Sequence, residues 1–92
     1  MEEKLRYEIR VTGRVQGVGF RWSAVTEAQK HDITGYIKNL YDGSVYIDAE
    51  GTINQLNAFI EWCRKGPGLS IVESVTTVPL PPVNYKDFRV RY

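Results

Sequence analysis

From Leu5 the chain alternates, with Leu5, Tyr7, Ile9 and Val11 on one side and Arg6, Glu8, Arg10 and Thr12 on the other. A period of two predicts a half-buried strand, which Gly13 ends. The period then becomes helical. Ala24, Val25 and Ala28 share one face while Glu27, Gln29 and Lys30 fall elsewhere, predicting an amphipathic helix from Phe20 to about His31. A second strand runs from about Ile33 to Asn39, with Ile33, Gly35 and Ile37 on one face. Asp42-Gly43 is a turn signal, and Val45, Ile47 and Ala49 share a face of the strand beyond it, so these two strands form a hairpin. Glu50-Gly51 breaks that strand. Thr52 caps a second helix whose Ile53, Leu56, Phe59, Ile60 and Cys63 make an apolar stripe, ended by Gly66-Pro67-Gly68. Leu69 to Val78 is rich in Val, Thr and Ile and predicts a fourth strand. Pro79 to Pro82 form a stiff connection, and Tyr85 to Tyr92 form a last short strand with Phe88 and Val90 together.

The order is βαββαβ with one extra strand. The crossover through the first helix makes strands one and two parallel, and the short hairpin makes strand three antiparallel to two. The expected fold is therefore α+β, a ferredoxin-like sandwich. Its sheet is mixed and mostly antiparallel, with two helices on one face and a short extra C-terminal strand. A chain of 92 residues is expected to be a single domain, 1–92. At this size it buries roughly 60 to 65% of its unfolded surface.

Charge and cysteine content narrow the partners. Twelve basic and eleven acidic residues give a net charge of +1, without the basic excess of a general nucleic-acid or membrane-surface binder. One cysteine cannot make an intramolecular disulfide, and one His with one Cys cannot supply the clustered soft ligands of a structural zinc site. A reducing compartment suits such a chain. Met1-Glu2-Glu3-Lys4 is charged and leads directly into a strand, so neither an apolar signal region nor a membrane span is expected. These features predict a cytoplasmic protein with no metal, no cofactor, no nucleic-acid partner and no membrane partner. The polar outer sheet face predicts a monomer.

The chemistry concentrates in the nine residues from Gly13 to Arg21, Gly-Arg-Val-Gln-Gly-Val-Gly-Phe-Arg. Their glycines let the backbone turn sharply and approach a ligand. A helix starting at Phe20 would aim its unpaired N-H groups into the same turn. Arg21 adds a planar fork that can grip two oxygens of a phosphate, so the run resembles an anion cradle that needs no metal. The competing reading is steric, since glycine-rich strand-to-helix turns are common. Strand two ends at Asn39, at the same carboxyl edge of the sheet, and its period turns that side chain toward the helix-covered face. An amide there approaches the cradle, although Asn is also a frequent turn residue that would organise the hairpin alone.

The Gly13 to Arg21 run, Gly35-Tyr-Ile-Lys-Asn39 and Asp42-Gly43-Ser-Val45 resemble the signature motifs of the acylphosphatase family. Gly51, the Gly66-Pro67 helix ending and the Tyr85-Lys-Asp-Phe88 segment are similar as well, so the resemblance covers nearly the whole chain. It implies hydrolysis of acyl phosphates, small-molecule mixed anhydrides of a carboxylic acid and phosphate, with inorganic phosphate as product and competitor. It further implies that Arg21 and the backbone amides of Gln16, Gly17, Val18, Gly19 and Phe20 bind the phosphoryl group. The family's catalytic asparagine falls on Asn39. An acyl phosphate already carries a good leaving group, so positioning a water in line and stabilising phosphoryl charge suffice. Asn39 is no base at neutral pH, but its amide can orient the water.

The chain departs from the family at His31-Asp32, where a leucine and a glycine are usual. The second of these positions suits a left-handed helix ending, which Asp adopts less easily than Gly. His31, near the helix end, is expected to be structural, and Ser23 lacks a nearby base that would make it a nucleophile. Cys63 is expected to pack in the second helix's stripe, and Trp62 to be partly exposed. Two rival functions compete with hydrolysis. Arg6, Arg10, Tyr36, Lys38, Tyr46, Arg89 and Arg91 on the outer sheet face suggest single-stranded RNA binding, but Ser44 to Glu50 lacks the base-stacking pattern and Glu8 and Asp48 interrupt the field. The second rival is a non-catalytic module that binds phosphate or carbamoyl phosphate. Having both Arg21 and Asn39 favours turnover over that module, because a binder has little use for a water-positioning amide.

Overall fold

The elements follow in the order β1 (Leu5–Arg14), α1 (Phe20–Lys30), β2 (Thr34–Asn39), β3 (Val45–Gly51), α2 (Ile53–Lys65), β4 (Ile71–Leu80) and β5 (Phe88–Val90) in the computed structural model, which describes residues 2–92. Met1, the first residue of the charged start, lies outside the described residues. The sheet order is β4-β1-β3-β2-β5. Both β1 and β2 run antiparallel to β3, so they are parallel to each other, and β5 lies parallel to β2. The ferredoxin-like order and the extra strand are thus present. Among the described residues no helix is long and apolar enough to cross a membrane.

Alternation decides which side of each strand is covered. Ile9 and Val11 of β1, Ile37 of β2 and Val45, Ile47 and Ala49 of β3 are fully buried, and they meet Phe20, Ala24 and Ala28 of α1 and Leu56, Phe59 and Cys63 of α2. The helix α2 starts in a reciprocal cap. Gln55 N donates to Thr52 Oγ1 at 3.3 Å and Thr52 N donates to Gln55 Oε1 at 2.9 Å, a pairing that stabilises a helix end by about 1 kcal/mol. Ile53, counted in the apolar stripe, is instead exposed in the first turn. Trp62 is half-buried, stacked on Phe59 with ring centroids 5.9 Å apart.

Several element boundaries differ from the sequence reading. Strand β1 continues past Gly13 to Arg14, by way of a bulge between Thr12 and Gly13 where it pairs with β4. Helix α1 ends at Lys30, with His31 as its C-cap and Asp32 at a φ of 56°. Strand β2 starts one residue later than expected, at Thr34. Strand β4 covers Ile71–Leu80, shifted from Leu69 to Val78, and passes through Pro79. Proline is tolerated there because β4 is an edge strand, paired on one side only. The last strand is confined to Phe88–Val90 because the preceding segment is held elsewhere. Glu50 is buried on the outer face, and its carboxylate accepts the backbone N-H groups of Val83, Asn84 (2.9 Å) and Tyr85 (2.7 Å). The segment between β4 and β5 therefore lies down across that face. Arg6 beside it donates twice to the buried Asp48, at 2.9 and 2.7 Å, and once to Pro81 O.

The outer sheet face that the RNA-binding rival would need is occupied by its own contacts. Tyr36 packs against Tyr46 and Tyr85, Arg91 stacks 3.8 Å from the Tyr36 centroid, and Lys38 lies over Tyr46 at 5.5 Å.

Candidate active site

Two strands running the same way bring their carboxyl ends to one edge of the sheet. The loop after β1 and the end of β2 meet there, as the crossover requires. Val15 is buried and pins the loop to the core, after which Gly17 and Gly19 adopt φ values of 73° and 79°. A Cβ at either glycine would meet nothing within 4 Å, so it is the left-handed backbone and not crowding that favours glycine. Left-handed residues interleaved with ordinary ones turn successive amides toward one concavity. Gly19 is the N-cap of α1; no side chain caps the helix, and its first turn holds no acidic residue. The positive end of the helix is left facing the loop.

Asn39 closes β2 opposite Val45. The hairpin beyond it is fastened by Leu40 N donating to Ser44 O at 2.9 Å. Asp42 Oδ1 accepts from Ser44 N and from Ser44 Oγ. Those bonds, the hydroxyl's first and the amide's second, hold the Asp42 carboxyl below its usual range. The loop after β1 is joined to this hairpin by Gln16, whose Nε2 donates to Leu40 O and to Ser44 O, both at 2.8 Å.

Between loop and hairpin lies a cavity of about 110 Å³, lined by Gln16, Gly17, Gly19, Phe20, Arg21 and Asn39 together with Val15 and Trp22. Of the expected site residues only Val18 stays out of this lining; it packs against the core. The Phe20 ring is buried and sits 5.4 Å from Trp62, which ties the first turn of α1 to α2. Asn39 Oδ1 is buried and, among the described residues, has no hydrogen-bond partner. Arg21 belongs to none of the ion pairs of the described residues, and its guanidinium carbon lies 5.0 Å from the ring centroid of Tyr92. The arrangement is an electropositive pocket with one unsatisfied amide oxygen, suited to an anion and a water.

The other titratable candidates lie elsewhere. His31 pairs with Glu27 at 2.9 Å at the far end of α1, Ser23 does not line the cavity, and burial pushes the Cys63 thiol up in the core. Sequence reasoning considered Gln16 only through its backbone amide and passed over Trp22, Tyr41 and Tyr92. A polar side chain set between glycines was the available signal for Gln16. Trp22 beside Arg21 and Tyr41 two residues past Asn39 were within reach of the sequence, whereas only the fold brings Tyr92 to Arg21.

Known proteins resemble this chain over most of its length. Residues 7–90 match the family model described as Acylphosphatase. An acylphosphatase of Leuconostoc mesenteroides is 46% identical over 85 residues, covering 91% of this chain and 94% of that protein. One from Thermotoga petrophila is 42% identical over 85 residues, covering 92% and 94%. The crystal structure of acylphosphatase from Bacillus subtilis matches with a TM-score of 0.93 and 39% identity, over 96% of this chain and 99% of that one.

Proposed function

The chain belongs to the acylphosphatase family, enzymes that hydrolyse acyl phosphates to carboxylate and inorganic phosphate, and from that premise we propose how its own residues divide the reaction. The backbone amides from Gln16 to Phe20 and the Arg21 fork hold the phosphoryl oxygens, supplying positive potential without a metal. Asn39 orients the attacking water through Oδ1. The water oxygen bonds to phosphorus as the bond from phosphorus to the acyl oxygen breaks. The electron pair of that bond leaves with the carboxylate, and the water's proton passes to a phosphoryl oxygen. No covalent intermediate forms. The enzyme works as a single unit, 1–92, monomeric in the cytoplasm, on a small-molecule acyl phosphate, and inorganic phosphate competes for the cradle.

One observation carries this reading. The buried, unpartnered Oδ1 of Asn39 lies at the same cavity as Arg21 and the uncapped start of α1. A buried acceptor without a partner is costly, and an ordered water donating to it removes that cost.

The test is hydrolysis of benzoyl phosphate in excess chelator, comparing the wild type with Asn39→Ala. We expect turnover to persist with chelator and kcat to fall by roughly 10² in the variant, while the inhibition constant for inorganic phosphate stays within a few-fold. An unchanged kcat with weakened phosphate binding would instead assign Asn39 to capture.

A further inference from the structure

On the sheet face that the helices leave open, a cavity of about 270 Å³ is lined by Glu8, Ile9, Arg10, Tyr46, Thr76 and Val78. It shares no residue with the cavity at the cradle. Glu8 and Arg10 flank Ile9, whose side chain is buried in the core, so alternation turns both charges outward. Across the ladders Arg10 stands between Tyr46 and Thr76, and Val78 stands opposite Glu8. The segment captured by Glu50 lies at the Arg6 end of β1 and contributes no residue to this lining.

Two opposite charges share this cavity without pairing with each other. Glu8 belongs to none of the ion pairs of the described residues; its Oε2 accepts from the Tyr46 hydroxyl, which leaves Oε1. Burial first, and then the bond to Glu8, push the Tyr46 phenol up, so it stays the donor of that bond at neutral pH. Arg10 approaches a single carboxylate, that of Asp42, at 3.7 Å, which is beyond hydrogen-bond length. Asp42 takes its own donors from Ser44, and the Arg10 side chain is 51% exposed, so the guanidinium fork is open to an incoming carboxylate.

Residues two apart on one face of a strand are spaced by about 6.8 Å. A carboxylate on Arg10 and an ammonium on Glu8, each at about 2.8 Å, bridge that spacing when a single tetrahedral carbon joins them. An amine or a carboxylate alone would answer only one of the two charges. The Tyr46 ring and the half-exposed Val78 supply apolar wall beside them, and the volume is just below the range of about 300 to 1,000 Å³ that drug-sized ligands take. We propose that this cavity binds a free α-amino acid with a compact apolar side chain, its carboxylate on Arg10 and its ammonium on Glu8, at a site separate from the cradle. The inference goes beyond the hydrolytic reaction and does not rest on it.

The test is an NMR titration of the isotope-labelled full chain with L-leucine, read from the backbone amides. Saturable shifts are expected at Thr76 and Val78, with a Kd of about 1 mM or tighter. Isocaproate, which is leucine without its ammonium, and isoamylamine, which is leucine without its carboxylate, should each bind at least about tenfold more weakly. Arg10→Met and Glu8→Gln should weaken leucine by a similar factor and leave benzoyl phosphate turnover unchanged; Glu8→Gln keeps an acceptor for Tyr46, and the same spectra report that each variant is folded. Absence of saturable shifts overturns the proposal, as does isocaproate binding as tightly as leucine or leucine binding that survives both variants. Shifts centred on Gln16 to Arg21, or displacement of leucine by inorganic phosphate, would put leucine in the cradle and overturn it equally.

Discussion

Gln16 donates from its side-chain amide to the carbonyl of Leu40 at 2.8 Å, across 24 residues of sequence. The same nitrogen also donates to Ser44 O, so one side chain fastens the loop after β1 to the turn after β2. Leu40 directly follows Asn39. The glycine-rich loop and Asn39, to which the proposed mechanism gives phosphate binding and water orientation, are thereby held in one register by a single joint.

Replacing that joint should therefore cost rate as well as stability. Gln16→Met keeps the length and removes both donors. It is expected to lower stability by about 1 to 2 kcal/mol, read from the denaturant midpoint, and kcat by roughly tenfold. Because Gln16 acts through Asn39, its effect on kcat should nearly vanish when Asn39 is already alanine. Additive effects on kcat in the double variant would limit Gln16 to a folding role.

Arg21→Lys separates charge from geometry. An ammonium keeps the charge but not the two-pronged fork, and it stacks less well near the Tyr92 ring. We expect kcat/KM to fall by at least roughly 10² with a matching loss of inhibition by phosphate. Near-normal turnover would place the phosphoryl group away from Arg21.

Asp32 occupies a left-handed conformation, with φ at 56°. Glycine adopts that backbone freely, so Asp32→Gly should stabilise the fold by up to about 1 kcal/mol. For a chain of this length that corresponds to a rise in Tm of a few degrees, about 4 °C or more for the full effect. Turnover is expected to be unchanged, since Asp32 closes α1 at the end opposite the cradle. A lower Tm would show that the Asp32 side chain makes a compensating cap.

Burial, the largest cause, pushes the Cys63 thiol well above its ordinary value of 9.0, with Glu27 adding to the rise and Arg64 opposing it. The folded state therefore keeps its proton where the unfolded chain begins to lose it. Stability from this group is fully present below pH 9 and declines as pH rises past that point, by up to about 1.4 kcal/mol per unit. Urea unfolding between pH 8 and 10.5 should show this decline in wild type. In Cys63→Ala the decline should be shallower, on a lower overall stability. Parallel slopes in the two proteins would count against a thiol that stays protonated in the core.

The parts of the fold that were legible in the sequence are those governed by local periodicity. Alternation through Ile9, Val11, Val45 and Ile47 and the helical stripe from Leu56 to Cys63 each mark a buried face, and each face is buried as expected. Thr52 was legible as a cap because its partner, Gln55, stands three residues away. The misses share a different origin. Pro79 is inside a strand only because β4 happens to lie at the sheet edge. Tyr85 is outside one because Glu50, 35 residues earlier, captures its amide. A carboxylate in an alternating strand carries no sign that distant backbone will fold over it.

The candidate site divides along the same line. The Gly13 to Arg21 run is contiguous, so its turn, its uncapped helix start and its cation follow from neighbouring residues, and the parallel relation of β1 and β2 follows from the crossover that joins them. Sequence by itself thus determined the cradle, the edge at which it opens and the arrival of Asn39 there. Tertiary structure alone decided what surrounds them: Gln16 bonded to two carbonyls of another loop, Phe20 set against Trp62, and Tyr41 and Tyr92 brought to one mouth. The physical reason is that backbone conformation and periodicity are short-range properties. Hydrogen-bond partners and cavity walls depend on which segments the packed core carries into contact.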